Sequence, residues 1–116
     1  MNNLLNDYHR RDPVSRYRAR GSGARLVAIT AVIRGRVIAL RQEFVVGSSP
    51  RSDYIITGAS MAPKHVSLSQ NGELWSIATV DPRARLWVNG EPVRVAVLGD
   101  EDRVTIGKHT FLFFET

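Results

Sequence analysis

From Arg25 onward, apolar residues fall in short runs separated by turn-forming residues, and that rhythm limits what the chain can fold into. Leu26 to Ile33 and Val37 to Leu40 flank Arg34-Gly35, which predicts a hairpin around a tight turn. Glu43 to Val46 begins a third strand. Gly47-Ser48-Ser49-Pro50 ends it, because proline has no N–H for a ladder and glycine permits a bend. Tyr54-Ile55-Ile56 reads as a fourth strand, closed by Thr57-Gly58. In His65-Val66-Ser67-Leu68-Ser69 the alternation places Val66 and Leu68 on one face and His65, Ser67 and Ser69 on the other. Asn71-Gly72 predicts a turn into Leu74 to Ala78, and Asn89-Gly90 one between Leu86-Trp87-Val88 and Val93 to Leu98. Gly99 to Asp102 turns the chain again, and Gly107-Lys108 links Val104-Thr105-Ile106 to Thr110 through Phe114. About ten to eleven short, antiparallel-type strands, with no convincing helical period, predict an all-β sandwich or barrel.

The first 24 residues carry neither period. They end in Gly21-Ser22-Gly23-Ala24, a flexible composition, and read as a disordered basic leader before a single domain over 25–116. Of the net charge of +5, much sits at this end: Arg10, Arg11, Arg16, Arg18, Arg20 and Arg25 face only Asp7 and Asp12. Such an arm could contact anionic lipid or nucleic acid, but no interleaved aromatic or amphipathic pattern supports specific contact, and no nucleic-acid partner is expected. At 43% hydrophobic and 23% charged residues, the composition is that of an ordinary globular chain. Neither a membrane-spanning run nor the apolar core of a secretory signal is visible.

Catalytic chemistry leaves no trace. There is no cysteine, which removes thiolate metal sites and thiol nucleophiles. His9, His65 and His109 lie far apart and lack zinc-site spacing, while Asp100-Glu101-Asp102 lacks the spacing of a calcium loop. Serines occur without a G-x-S-x-G elbow, and Gly47-Ser48-Ser49 is followed by no helix pattern that could offer its N-terminus to a phosphate. No enzyme activity and no cofactor are expected.

The informative stretch is 43–72, where serines, an arginine, a lysine and a histidine crowd two loops. A strand ending in Gly47-Ser48, then Met61 to Val66, then Leu86-Trp87-Val88-Asn89-Gly90, then Leu98 to Gly107, resembles in order the forkhead-associated (FHA) domain, an eleven-stranded β-sandwich. In phosphothreonine-binding members an arginine follows that glycine and the later segment reads S-x-x-H. A phosphate of about −1.5 to −2 charge wants a guanidinium and hydroxyl or backbone donors around it. Here Ser48 stands in the arginine's place and Ala62 in the serine's. His65, Asn89 and Gly90 are kept, and the resemblance implies a buttressing role for Gly47, His65 and Gly90 and a peptide contact for Asn89.

Gly47-Ser48-Ser49-Pro50, Ser52 to Ile56 and Met61-Ala62-Pro63-Lys64-His65 also resemble the cytoplasmic domain of the type III secretion inner-membrane ring protein. That resemblance implies a non-catalytic, phosphothreonine-independent interaction domain on the cytoplasmic face of the bacterial inner membrane. Its partners would be cytoplasmic proteins of the secretion apparatus, with ring oligomers in the assembly, a monomeric isolated domain, and membrane attachment through a segment outside this chain. The expected partner-binding edge comprises Ser48, Ser49, Arg51, Ala62, Lys64 and Asn89, with a sheet face as the other option. A phosphothreonine reader using Arg51 and Lys64 is the alternative.

Overall fold

Apolar alternation in the strands is consumed by two sheets packed face to face, in a computed structural model that describes residues 13–30 and 32–116. The elements are α1 (Pro13–Arg18), β1 (Arg25–Ala28), β2 (Val37–Ala39), β3 (Glu43–Gly47), β4 (Tyr54–Ile55), β5 (Val66–Asn71) and β6 (Leu74–Thr79). They continue with β7 (Leu86–Val88), β8 (Glu91–Pro92), β9 (Val95–Leu98), β10 (Arg103–Ile106) and β11 (His109–Phe114). One sheet has six strands in the order β2-β1-β11-β10-β7-β8, the other five in the order β4-β3-β5-β6-β9. The expected all-β sandwich is the observed fold.

Every second residue of the strands points between the sheets. Phe44 and Val46 of β3, Val66 and Leu68 of β5 and Trp75 and Ile77 of β6 meet Leu26, Val104, Ile106, Phe111 and Phe113 of the other sheet in one buried cluster. The Trp75 and Phe113 rings, 6.2 Å apart and tilted by 59°, join the layers near the centre.

The turns follow backbone chemistry. Asn89 and Gly90 both have positive φ, 52° and 83°, between the paired Val88 and Glu91, the left-handed pair that a two-residue hairpin requires. Gly107-Lys108 likewise joins paired Ile106 and His109. The turn expected at Asn71-Gly72 falls one residue later: Asn71 pairs with Leu74, and Gly72-Glu73 form the loop with Gly72 at φ 64°.

Three expectations are corrected. The strands are not all antiparallel, since β3 and β4 pair in parallel, Val46 with Tyr54 and Gly47 with Ile55. The run from Val93 to Leu98, expected to return beside Leu86-Trp87-Val88, does not: β8 (Glu91–Pro92) lies beside β7, and β9 (Val95–Leu98) crosses to pair with β6 in the other sheet. The leader expected to be disordered over 1–24 is built from Pro13 onward, while residues 1–12 lie outside the described part. Val14 and Tyr17, three apart and so on one face of α1, pack on Val27, Leu112 and Phe114, the outward side of β1 and β11. The buried guanidinium of Arg25 then donates to the carbonyls of Arg18 (2.6 Å), Arg20 (2.7 Å) and Gly23 (2.7 Å), closing the open end of the helix.

Candidate functional site

Gly47 is where the site begins. A Cβ there would stand 2.1 Å from the Pro63 carbonyl oxygen and 3.0 Å from the Lys64 Cα, so only glycine lets the 62–64 backbone lie against the end of β3. That approach lets Ser48 N–H donate to the Ala62 carbonyl at 3.0 Å and Ser49 N–H to the Pro63 carbonyl at 3.1 Å. The Ser52 hydroxyl also donates to Pro63, at 3.2 Å.

The backbone donors of the β3–β4 loop are all used in this way. Arg51 N–H donates to Ser49 Oγ at 3.2 Å, Ser52 N–H to the Ser49 carbonyl at 3.0 Å and Asp53 N–H to the Val45 carbonyl at 2.9 Å. Pro50 has no N–H. From Ser48 to Asp53, no backbone donor is left for an anion.

His65 holds the second loop from inside. It is 1% exposed, and its Nδ1 accepts from Ala62 N–H at 3.0 Å while Nε2 lies 2.8 Å from the Arg85 carbonyl. Because the Ala62 N–H can only donate, Nδ1 carries no proton and Nε2–H donates to Arg85. One ring thereby ties the β4–β5 loop to the β6–β7 loop.

The structure thus brings Gly47, Ser48, Ser49, Ala62, Lys64 and His65 together, with Arg51 on the same loop. Among the described residues, the exposed head groups of Arg51 and Lys64 make no ion pair or hydrogen bond. Asn89 belongs to a different network. Its Oδ1 accepts from Arg103 N–H at 2.9 Å and its Nδ2 donates to Asp102 at 2.9 Å, so the amide clamps the β7–β8 turn to the loop before β10. Gly90, with positive φ, completes that turn.

Sequence reasoning missed the basic rim beside this edge. A depression of about 310 Å³ lies between Ser60, Met61, Ala62 and Arg83, and a neighbouring one of about 360 Å³ is lined by Ser60, Arg85, Trp87 and Lys108. The Gly107 turn reaches this place because it packs tightly on Ser60: a Cβ at Gly107 would meet the Ser60 carbonyl oxygen at 2.9 Å. Alternating Arg83 and Arg85 were a visible signal, but nothing local in the sequence places Lys108 beside them. Among the described residues, no cluster of three His, Cys, Asp or Glu could hold a metal, and no helix is long and apolar enough to cross a membrane.

With this geometry in hand, comparison with known proteins is decisive on family. Residues 33–116 match the family described as the inner membrane component of the type III secretion system, cytoplasmic domain. The chain belongs to that family. Its fold is shared with the cytoplasmic domain of the type III secretion sorting-platform protein PscD from P. aeruginosa, at a TM-score of 0.68 and 16% identity, covering 81% of each chain. An FHA domain solved in a study of phosphothreonine-dependent FHA interactions superimposes at a TM-score of 0.72 with 18% identity, over 82% of this chain and 98% of that one. A curated relative, the oxoglutarate dehydrogenase inhibitor of Corynebacterium jeikeium (strain K411), is 28% identical over 67 residues. That match takes in 58% of this chain, and the chain spans 46% of the relative's length. This type III secretion component domain accordingly has the FHA fold.

Proposed function

We propose that this domain binds cytoplasmic proteins of a type III secretion apparatus through its β3–β4 and β4–β5 loops, without requiring phosphothreonine. The observation that carries the reading is the occupied loop: every backbone N–H from Ser48 to Asp53 is bonded or absent, and Ser48 and Ala62 supply neither guanidinium nor hydroxyl where the phosphate-binding pattern has them. A phosphate placed there would have to break existing bonds before making new ones. The frame that remains, Gly47 and His65, keeps the two loops rigid and exposed for protein contact. In a ring carrying many copies, weak single contacts would add through multivalency, at the cytoplasmic side of the inner membrane.

One observation favours a second reading. Arg51 and Lys64 are exposed and unengaged, so together they could meet a phosphothreonine with cations alone. Capture of purified apparatus components by the immobilised chain, before and after phosphatase treatment of those components, separates the two. Equal capture supports the phosphate-independent reading; capture abolished by phosphatase overturns it.

A further inference from the structure

Three depressions on the loop end join into one track. The first, along Met61 and Ala62, shares Ser60 and Arg83 with the second, between the Ser60 loop and the Gly107-Lys108 turn. The third, of about 160 Å³, shares Arg85 and Trp87 with the second and runs on to Pro92 and Arg94. Four cations line this track, Arg83, Arg85, Arg94 and Lys108, and no carboxylate lines any of its parts.

The charges are largely unspent. Among the described residues, Arg85, Arg94 and Lys108 make no ion pair and no side-chain hydrogen bond. Arg83 reaches Asp81 only at 3.4 and 3.5 Å, with its side chain 88% exposed. A run of like charges in which only Arg83 has a paired carboxylate raises the local potential and draws anionic groups to it. Between the cations the lining is mostly apolar, Ala59, Met61, Ala84, Pro92 and Val93 beside the polar Ser60 and His65, with the half-buried indole of Trp87 at the middle. Alternating cationic and apolar stations fit an extended polypeptide bearing acidic and apolar side chains. A nucleic-acid strand would want successive aromatic platforms, and the track holds one indole.

We propose that this track docks an extended acidic segment of a partner protein, pairing its carboxylates with Arg83, Arg85, Arg94 and Lys108 and laying an apolar side chain against Trp87. The proposal rests on the reading of the domain as a protein-interaction module and supplies the partner's chemistry. The segment's affinity falls steeply with salt, because exposed charge pairs carry much of it.

The test is an NMR titration of the full chain with a short synthetic peptide of repeating Glu-Leu-Asp. The Trp87 indole N–H and the amides of Arg85 and Lys108 shift saturably, the buried Trp75 indole does not, and R85E/K108E weakens binding about tenfold or more. R94E, at a separate exposed position, weakens it in part and guards against a folding defect in the double variant. Shifts centred on Ser48 to Arg51, unchanged affinity in R85E/K108E, tighter binding of a short oligothymidylate, or no shift at any peptide concentration would each overturn the track. If apparatus proteins bind R85E/K108E undiminished, the track fails while the interaction-domain reading stands. If they do not bind the unaltered chain at all, that reading fails, and the peptide titration still judges the track.

Discussion

Gly47 and Pro63 touch so closely that any side chain at position 47 would occupy the place of the Pro63 carbonyl oxygen, 2.1 Å from a built Cβ. Gly47→Ala must therefore push the 62–64 backbone off the end of β3 and stretch the bonds from Ser48 and Ser49. Overpacking of this kind costs about 1–3 kcal/mol, and a backbone obstacle puts the expectation in the upper half of that range. Denaturant midpoints at unchanged m-value check it. A variant as stable as the parent would show that the loops are not held by this contact.

His65→Ala removes the ring that joins two loops and leaves the Ala62 N–H without its partner, while the Arg85 carbonyl keeps only the Gly107 N–H at 3.1 Å. One orphaned donor costs about 1–3 kcal/mol, so a loss in that range is expected. Hydrogen exchange at the Ala62 amide reports the local effect. The amide becomes fast in the variant while amides of β10 and β11 follow only the global loss of stability.

Asn89 is expected to matter for stability and not for partner binding. Asn89→Gly keeps the positive φ and loses the bonds to Asp102 and Arg103, for a cost of about 1 kcal/mol. Asn89→Ala adds the left-handed backbone penalty of about 1–2 kcal/mol. The difference between the two variants isolates the backbone term. Apparatus binding that fell with either variant, at temperatures where both are folded, would return Asn89 to the binding edge.

Acid should release α1 from the sandwich. Burial works against ionisation of Asp100, but the Arg18 guanidinium and the Glu115 N–H outweigh it and hold this carboxyl below the usual aspartate range. A depressed folded value means that the contribution is complete above the unfolded value, about pH 3.9, and fades as pH falls through the folded one. Arg18, its pKa raised by Asp100 and Glu101, stays charged throughout and also lies 4.6 Å from the Phe114 ring centre. Contacts of Val14 and Tyr17 with Leu112 and Phe114, followed by NMR, are expected intact at neutral pH and weakened below about pH 3.9, with the β-core persisting longer. Weakening on raising the pH instead would contradict the assigned pair.

What the sequence made legible was local. Asn89-Gly90 and Gly107-Lys108 carry their turn geometry in their own residues, and the alternation of Val66, Leu68, Trp75 and Ile77 names the core face directly. The parallel pairing of β4 and the passage of β9 to the second sheet depend on partners distant in sequence, so no short pattern could announce them. The helix α1 is six residues long, too short for a period to register, and Arg25, which reads as one more basic residue of the leader, is what fixes it in place. In the site, the replacements at positions 48 and 62 were readable. The bonds that fill the β3–β4 loop, the use of the Asn89 amide elsewhere and the meeting of Lys108 with Arg83 and Arg85 were not, because each is made by the folded backbone.

The most direct test of phosphate-independent binding is calorimetric titration of the chain with matched phosphothreonine and threonine peptides taken from an apparatus protein it captures. The account predicts affinities for the two forms within about twofold of each other, with Arg51→Ala leaving that ratio unchanged. Micromolar binding of the phosphorylated form alone, lost in Arg51→Ala, would contradict it.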